Sequence, residues 1–217
     1  MVLVHSAFAL GEAPALDVTP ELVSSIRGEL IARTPAHRLT HVLGVEGMAV
    51  VLAARHGMDP ARAHLAALLH DIAKSLPPNL QRERLDACTV VVPEEEDRHH
   101  PQVWHGFVGA QEAHDRYGIT DPEVLEAVAY HPTGKAGIGQ AGLILFTADF
   151  LEPSRHWTGV EEVRSRLMAE PLINAAFEVA QLKINHLAAA GKPLHSRTQD
   201  MASWLQTLLE KGSVHRA

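Results

Sequence analysis

Aromatic side chains are scarce in this chain, at 5% of 217 residues, so its core must be built mostly from Ala, Leu, Val and Ile, a composition that favours helices. A single cysteine, Cys88, excludes an intrachain disulfide and is consistent with a reducing cytosol. No apolar run approaches the ~18 residues of a membrane span. No Lys or Arg precedes Arg27, so the mildly apolar start "MVLVHSAFAL" lacks the positive region of a secretory signal. Residues 1–17 read as a poorly ordered leader, and 18–217 as one domain. Positive charge is also in short supply. A net charge of -7 argues against a nucleic-acid-binding surface but leaves room for a local basic pocket. Strand signals, internal repeats and composition breaks are nearly or wholly missing.

Helix signals, by contrast, recur along the whole chain. Thr19-Pro20 and Asp121-Pro122 each pair a capping side chain with a proline suited to the first turn, and Pro60 suits the first turn of another helix. Gly57 marks a helix end. The expectation is an all-α domain of roughly eight to ten helices, with residues 89–101, "TVVVPEEEDRHHP", as the one irregular section.

Polar groups stand where apolar ones belong. In "PARAHLAALLHDIAKSLPP", Ala63, Ala66, Ala67 and His70 share one helix face, and Asp71 lies beside it. A buried carboxylate is costly unless it is paired or bound to a metal. Asp71 therefore faces either Lys74, in an ordinary ion pair, or a metal. His41 shares a stripe with Val45, Met48 and Leu52, where a hydrogen-bonded core histidine is the bland alternative. Asp149 shares a face with Gly142, Leu145 and Phe146 in a helix apolar nearly all round, with an Arg ion pair as its alternative. His131 closes a helix after Val124, Ala127 and Val128, where it could simply meet the helix dipole. His105 sits in "VWHGFVGA", beside Gly106 and Gly109, which let another segment or a ligand come close. The chain holds 15 histidines, so chance patterns are a hazard; each of these four histidines nonetheless falls on an apolar face or near a helix end.

Taken in order, His41, His70, Asp71 and Asp149 supply mixed nitrogen and oxygen ligands to a divalent ion. His105 and His131 would supply a second ion, with Asp71 as the simplest bridge. Two metals suit phosphoester or phosphoanhydride hydrolysis, and Lys74 then points at a substrate phosphate.

The H…HD…D pattern resembles the signature of the HD phosphohydrolase superfamily. More narrowly, "RLTH" (38–41), "LLHDIAK" (68–74), "HGFVGA" (105–110), "AVAYHPTG" (127–134), "ADFLEPSR" (148–155) and "GVEEVR" (159–164) resemble the YqeK-type bacterial hydrolases of symmetrical dinucleoside tetraphosphates. The likeness spans about residues 20–190, and the segments keep the family's order. It implies a helical HD fold and a two-metal centre ligated by His41, His70, Asp71, His105, His131 and Asp149. Iron is the first expectation, with manganese, cobalt, nickel or zinc compatible with the same donors. It also implies catalytic roles for Asp71 and Lys74, and a nucleotide site lined by Lys74, Thr133, Gly134 and Arg155. The reaction implied is cleavage of diadenosine tetraphosphate to two ADP by a cytoplasmic enzyme with no nucleic-acid or membrane partner. "HPTG" departs from the family, where Thr commonly follows the His. The acidic insertion 94–97 and the leader are also unlike typical members. The competing readings are an HD nucleotidase acting on another small nucleotide and a non-catalytic nucleotide-sensing HD domain. Monomer and homodimer both remain compatible with the sequence.

Overall fold

Eleven helices make up the computed structural model, which describes residues 16–214: α1 (Pro20–Arg33), α2 (Ala36–Arg55), α3 (Pro60–Leu69), α4 (Pro78–Asp86), α5 (Glu95–Arg98), α6 (Trp104–Tyr117), α7 (Pro122–Tyr130), α8 (Gln140–Leu151), α9 (Val160–Ala169), α10 (Leu172–Ala189) and α11 (Ser196–Val214). No strand occurs among the described residues. Nearly all of the expected leader lies outside those residues, while Leu16 and Val18 pack partly buried against the core.

The capping signals act as their chemistry dictates. Thr19 Oγ1 accepts from Leu22 N, Asp59 from Ala61 N, and Asp121 from Glu123 N and Val124 N. Each satisfies amide groups that the first helical turn leaves without partners.

The core joins α2, α3, α6, α7 and α8, which pack on one another, while α10 closes against α8 and α11. Small residues let the backbones approach. A Cβ on Gly106 of α6 would collide with the Ala129 carbonyl oxygen of α7, so another segment of the chain is what comes close there.

Ten of the helices are those expected. The eleventh, α5, forms inside the irregular section, around the acidic run. Asp97 is fully buried and Glu94 N donates to its Oδ2 at 2.8 Å. Arg197 donates to the same carboxylate through Nη1 at 2.6 Å and Nη2 at 2.9 Å, and His195 Nε2 lies 3.0 Å from Oδ1. The insertion thus pins the start of α11. Thr198 Oγ1 in turn donates to the Thr133 carbonyl at 2.9 Å, which ties α11 to the turn after α7.

Candidate metal centre

Two helix ends aim histidines in the same way. His70 caps α3 and His131 caps α7, both with helical φ and ψ. His70 Nδ1 donates to the Ala67 carbonyl at 2.7 Å, and His131 Nδ1 to the Val128 carbonyl at 2.8 Å. Those bonds assign the proton to Nδ1 and leave each Nε2 lone pair pointing away from the helix. The expected continuous helix through Lys74 instead stops at Leu69. Beyond it the chain turns through Ile72 N to Leu69 O and Lys74 N to Asp71 O, three residues apart rather than four. The tighter turn brings Asp71 to the same side as its neighbour His70.

His41, on α2, is oriented by Glu152: its Nδ1 lies 3.0 Å from Glu152 Oε1, which turns Nε2 toward His70 and Asp149. Glu152 is buried and needs Gly44, whose Cβ would strike the Glu152 carboxylate. The carboxylate also accepts from Ser154 N and Ser154 Oγ.

The six expected ligands converge. His41 Nε2 stands 3.3 Å from His70 Nε2 and 3.2 Å from Asp149 Oδ1. His105 Nε2 stands 3.1 Å from His131 Nε2. Asp71 lies between the two groups. Its Oδ2 is 3.8 Å from both His41 Nε2 and His70 Nε2, while its Oδ1 is 3.3 Å from His105 Nε2 and 3.7 Å from His131 Nε2. Two sets, His41–His70–Asp149 and His70–Asp71–His131, each bring their donor atoms within 4.8 Å of one another. The Nε2 atoms of His41 and His70 face each other, an arrangement that suits two donors to one cation. Donors about 3 Å apart match adjacent ligands on an ion with bonds of about 2.1 Å. The residues present fit a divalent metal.

Electrostatics favour the ligating protonation states. Burial pushes His70 down to about 4 and His105 down to about 3, so both are neutral near pH 7. Burial works to raise Asp71, but the imidazoles of His70 and His105 outweigh it and hold the carboxyl well below its usual range. Asp149 behaves alike, through its hydrogen bond with His41 and the charge of Arg155. His41 is the exception: burial opposes its charge, yet Asp149 and Glu152 raise its pKa.

Cations surround the centre, and two pairings differ from expectation. Asp71 pairs with Arg38, whose Nη1 is 2.8 Å from Oδ2, rather than with Lys74. Lys74 Nζ lies 3.2 Å from both ring nitrogens of His105. Asp149 does carry the Arg ion pair raised as its alternative, with Arg155 Nη2 2.8 Å from Oδ1, alongside its contact with His41. Arg38, Lys74, Thr133, Phe150 and Arg155 line one cleft of about 600 Å³ with five of the six expected ligands, while His70 is fully buried. The Thr133 hydroxyl donates to the Gly134 carbonyl. Gly134 is not part of the lining. It holds φ +70° in the turn, where a Cβ would strike Met201.

Sequence reasoning missed Arg38 and Glu152. Each had a signal: Arg38 lies three residues before His41 on the same helix, and Glu152 three after Asp149.

The comparisons agree with this geometry. The model of the HD domain family matches residues 38–186. A relative from Bacillus subtilis (strain 168), "Bis(5'-nucleosyl)-tetraphosphatase, symmetrical", is 35% identical over 145 residues, covering 64% of this chain and 73% of its own. One of the same name from Halalkalibacterium halodurans is 34% identical, covering 81% of this chain and 91% of its own. A crystal structure described as a predicted HD superfamily hydrolase involved in NAD metabolism, from Clostridium acetobutylicum, superposes with a TM-score of 0.78 at 30% identity. That superposition covers 85% of this chain and 97% of the other.

Proposed function

We propose, from the premise that this chain belongs to the HD domain family, that it is a metal-dependent hydrolase cutting diadenosine tetraphosphate symmetrically into two ADP. The observation that carries the chemistry is Asp71, whose two oxygens face different histidine pairs and so suit a carboxylate shared by two ions. His41, His70 and Asp149 would hold one ion and His105 and His131 the other, with Asp71 between them. A bound pair of divalent ions supplies Lewis acidity toward phosphoryl oxygens and lowers the pKa of water. Iron is the first candidate, and manganese, cobalt, nickel and zinc suit the same donors.

The chain's own side chains do the rest. Lys74 offers a compact point charge to a phosphate, and Arg155 a planar fork. Arg38 neutralises Asp71 in the ligand cluster and stands at the same wall of the cleft. Glu152 keeps the His41 proton on Nδ1. The Phe150 ring adds an apolar face to the lining. Among the described residues no helix is long and apolar enough to cross a membrane, which suits our reading of a cytoplasmic enzyme with a small-nucleotide substrate.

The test is one chromatogram. Protein reconstituted anaerobically with ferrous iron is incubated with diadenosine tetraphosphate, and products are separated early. ADP alone is the expected outcome. Equal ATP and AMP would move the protein to an asymmetrical mode of cleavage. Turnover of a mononucleotide, with none of the tetraphosphate, would favour the nucleotidase reading.

A further inference from the structure

Two residues of one helical turn grip the chain on either side of His131. Arg197 and Thr198 open α11, whose first turn lies against the turn that follows α7. The buried Arg197 guanidinium stands over the Tyr130 ring, 4.9 Å from its centroid, and Tyr130 immediately precedes His131. Thr198 Oγ1 donates at 2.9 Å to the carbonyl of Thr133, just beyond His131. One turn farther along α11, Met201 fills the place that a Cβ on Gly134 would take. The same guanidinium lies 6.0 Å from the centroid of Phe107, which follows His105 closely on α6 and meets Tyr130 edge to face at 5.6 Å. Both distances fall within the reach of a cation over an aromatic face. Arg197 thus bears on chain neighbours of both His105 and His131.

The arginine is itself held from behind. Asp97 accepts from Nη1 at 2.6 Å and Nη2 at 2.9 Å, the two-pronged contact that a planar guanidinium offers and an ammonium does not. Glu96 accepts from Ser196 N at 2.8 Å and from Ser196 Oγ, so two adjacent carboxylates of α5 clasp the start of α11. Asp97 also balances the guanidinium charge, so no bare cation stands behind ligands meant for a divalent ion. A buried ion pair is a poor source of stability, since apolar side chains of similar volume do as well or better. What this pair supplies is direction: the guanidinium plane is fixed across two rings whose backbone carries ligands.

We infer that Arg197 and Thr198 are positioning residues for His105 and His131: they set the 3.1 Å spacing of the two Nε2 atoms and, with it, the affinity for one ion of the pair. This rests on the proposed two-ion centre for what the histidines bind, and on the α11 contacts for what holds them. His41, His70 and Asp149 take their orientation from elsewhere, from Glu152, the Ala67 carbonyl and Arg155. A disturbance in the first turn of α11 therefore reaches one ion and spares the other.

The test counts ions on the full chain, loaded with manganese and challenged with rising chelator, beside a thermal melt. Arg197→Lys keeps the charge but loses the fork and the flat face over the rings. It is expected to release one ion at about tenfold lower chelator than the wild type, in the range for outer partners of metal-bound histidines. The other ion should leave at the wild-type concentration. Thr198→Val keeps the branched shape and loses the hydroxyl, and should weaken the same ion about fivefold, the size of one hydrogen bond. His105→Ala identifies that ion, because the weakened step should be missing from it. Wild-type release in both variants, or an equal shift of both ions together with the melting temperature, would overturn the inference and leave the two-ion centre standing. A wild type that holds only one ion would overturn the two-ion centre and the inference with it. If Arg197→Lys fails to fold, Thr198→Val alone decides.

Discussion

His41 Nε2 and His70 Nε2 stand 3.3 Å apart because each ring is turned by its other nitrogen: His41 toward Glu152, His70 by donating to the Ala67 carbonyl. The two partners differ in kind. One is a backbone carbonyl, which mutation cannot remove. The other is a side chain. Glu152→Gln can present an amide N–H to Nδ1, which would move the His41 proton to Nε2 and block that donor. Metal affinity should fall by about 10- to 100-fold, as for other outer partners of metal-bound histidines. Competition with a chelator measures it. Unchanged affinity would show that Glu152 has no part in orienting His41.

Substituting the ligands should separate the two ions. Asp71→Ala is expected to abolish turnover and reduce metal content most, since its two oxygens face both histidine groups. Asp149→Ala and His41→Ala should also abolish turnover. His105→Ala and His131→Ala should each remove mainly one ion of two. Elemental analysis of protein purified without chelator reads the result. Two ions and normal rates in the His105 and His131 variants would leave a single-ion centre.

Lys74 makes no ion pair with Asp71, whose partner is Arg38. Lys74→Ala should therefore spare the melting temperature and the metal. Catalytic efficiency should drop by about 10²-fold if the lysine contacts a phosphate in the transition state, each ~1.4 kcal/mol being tenfold. A lower melting temperature with an unchanged rate would instead assign Lys74 a structural part.

Asp97 sets an acid limit on stability. Burial would raise its pKa, but the hydrogen bonds from Arg197 and Glu94 N outweigh burial and lower it. A carboxyl with a folded pKa below its unfolded value of about 3.9 stabilises the fold above that pH, and the contribution is lost as pH falls through the folded pKa. Asp97→Asn also leaves buried Arg197 with only the exposed Glu94 as counter-charge, at a cost on the order of 3 kcal/mol near pH 7. Urea unfolding at pH 7 and near pH 3 tests this. The gap between wild type and variant should narrow at the lower pH, and a constant gap would remove Asp97 from the acid transition.

Much of this centre was legible along the chain for a simple reason. A buried helix face admits polar groups only at a cost, so His41, His70, His131 and Asp149 stood out against Ala, Leu and Val by periodicity, with Asp71 beside His70. The all-α class followed equally from the caps at Thr19 and Asp121, from the helix-starting prolines and from the want of strand pattern. His105 was weaker, since its face is built by glycines whose purpose, close approach to α7, appears only once the helices pack.

Linear order could not decide partners, because charge pairing is set by distance in space. Asp71 had Lys74 one turn away, yet the tight turn after Leu69 gives the carboxylate to Arg38, 33 residues earlier. Asp97 and Arg197 are 100 residues apart, and their bond turns an acidic stretch of the expected irregular section into the buried anchor of α11. Gly134, expected at the nucleotide, proved to serve its turn and the packing of Met201. Residue types and helical spacing marked the candidate ligands. Which carboxylate stands between the two histidine groups and which cation neutralises it were decided by how α2, α3, α7 and α8 close on one another, since only packing brings those groups within the few ångströms over which they act.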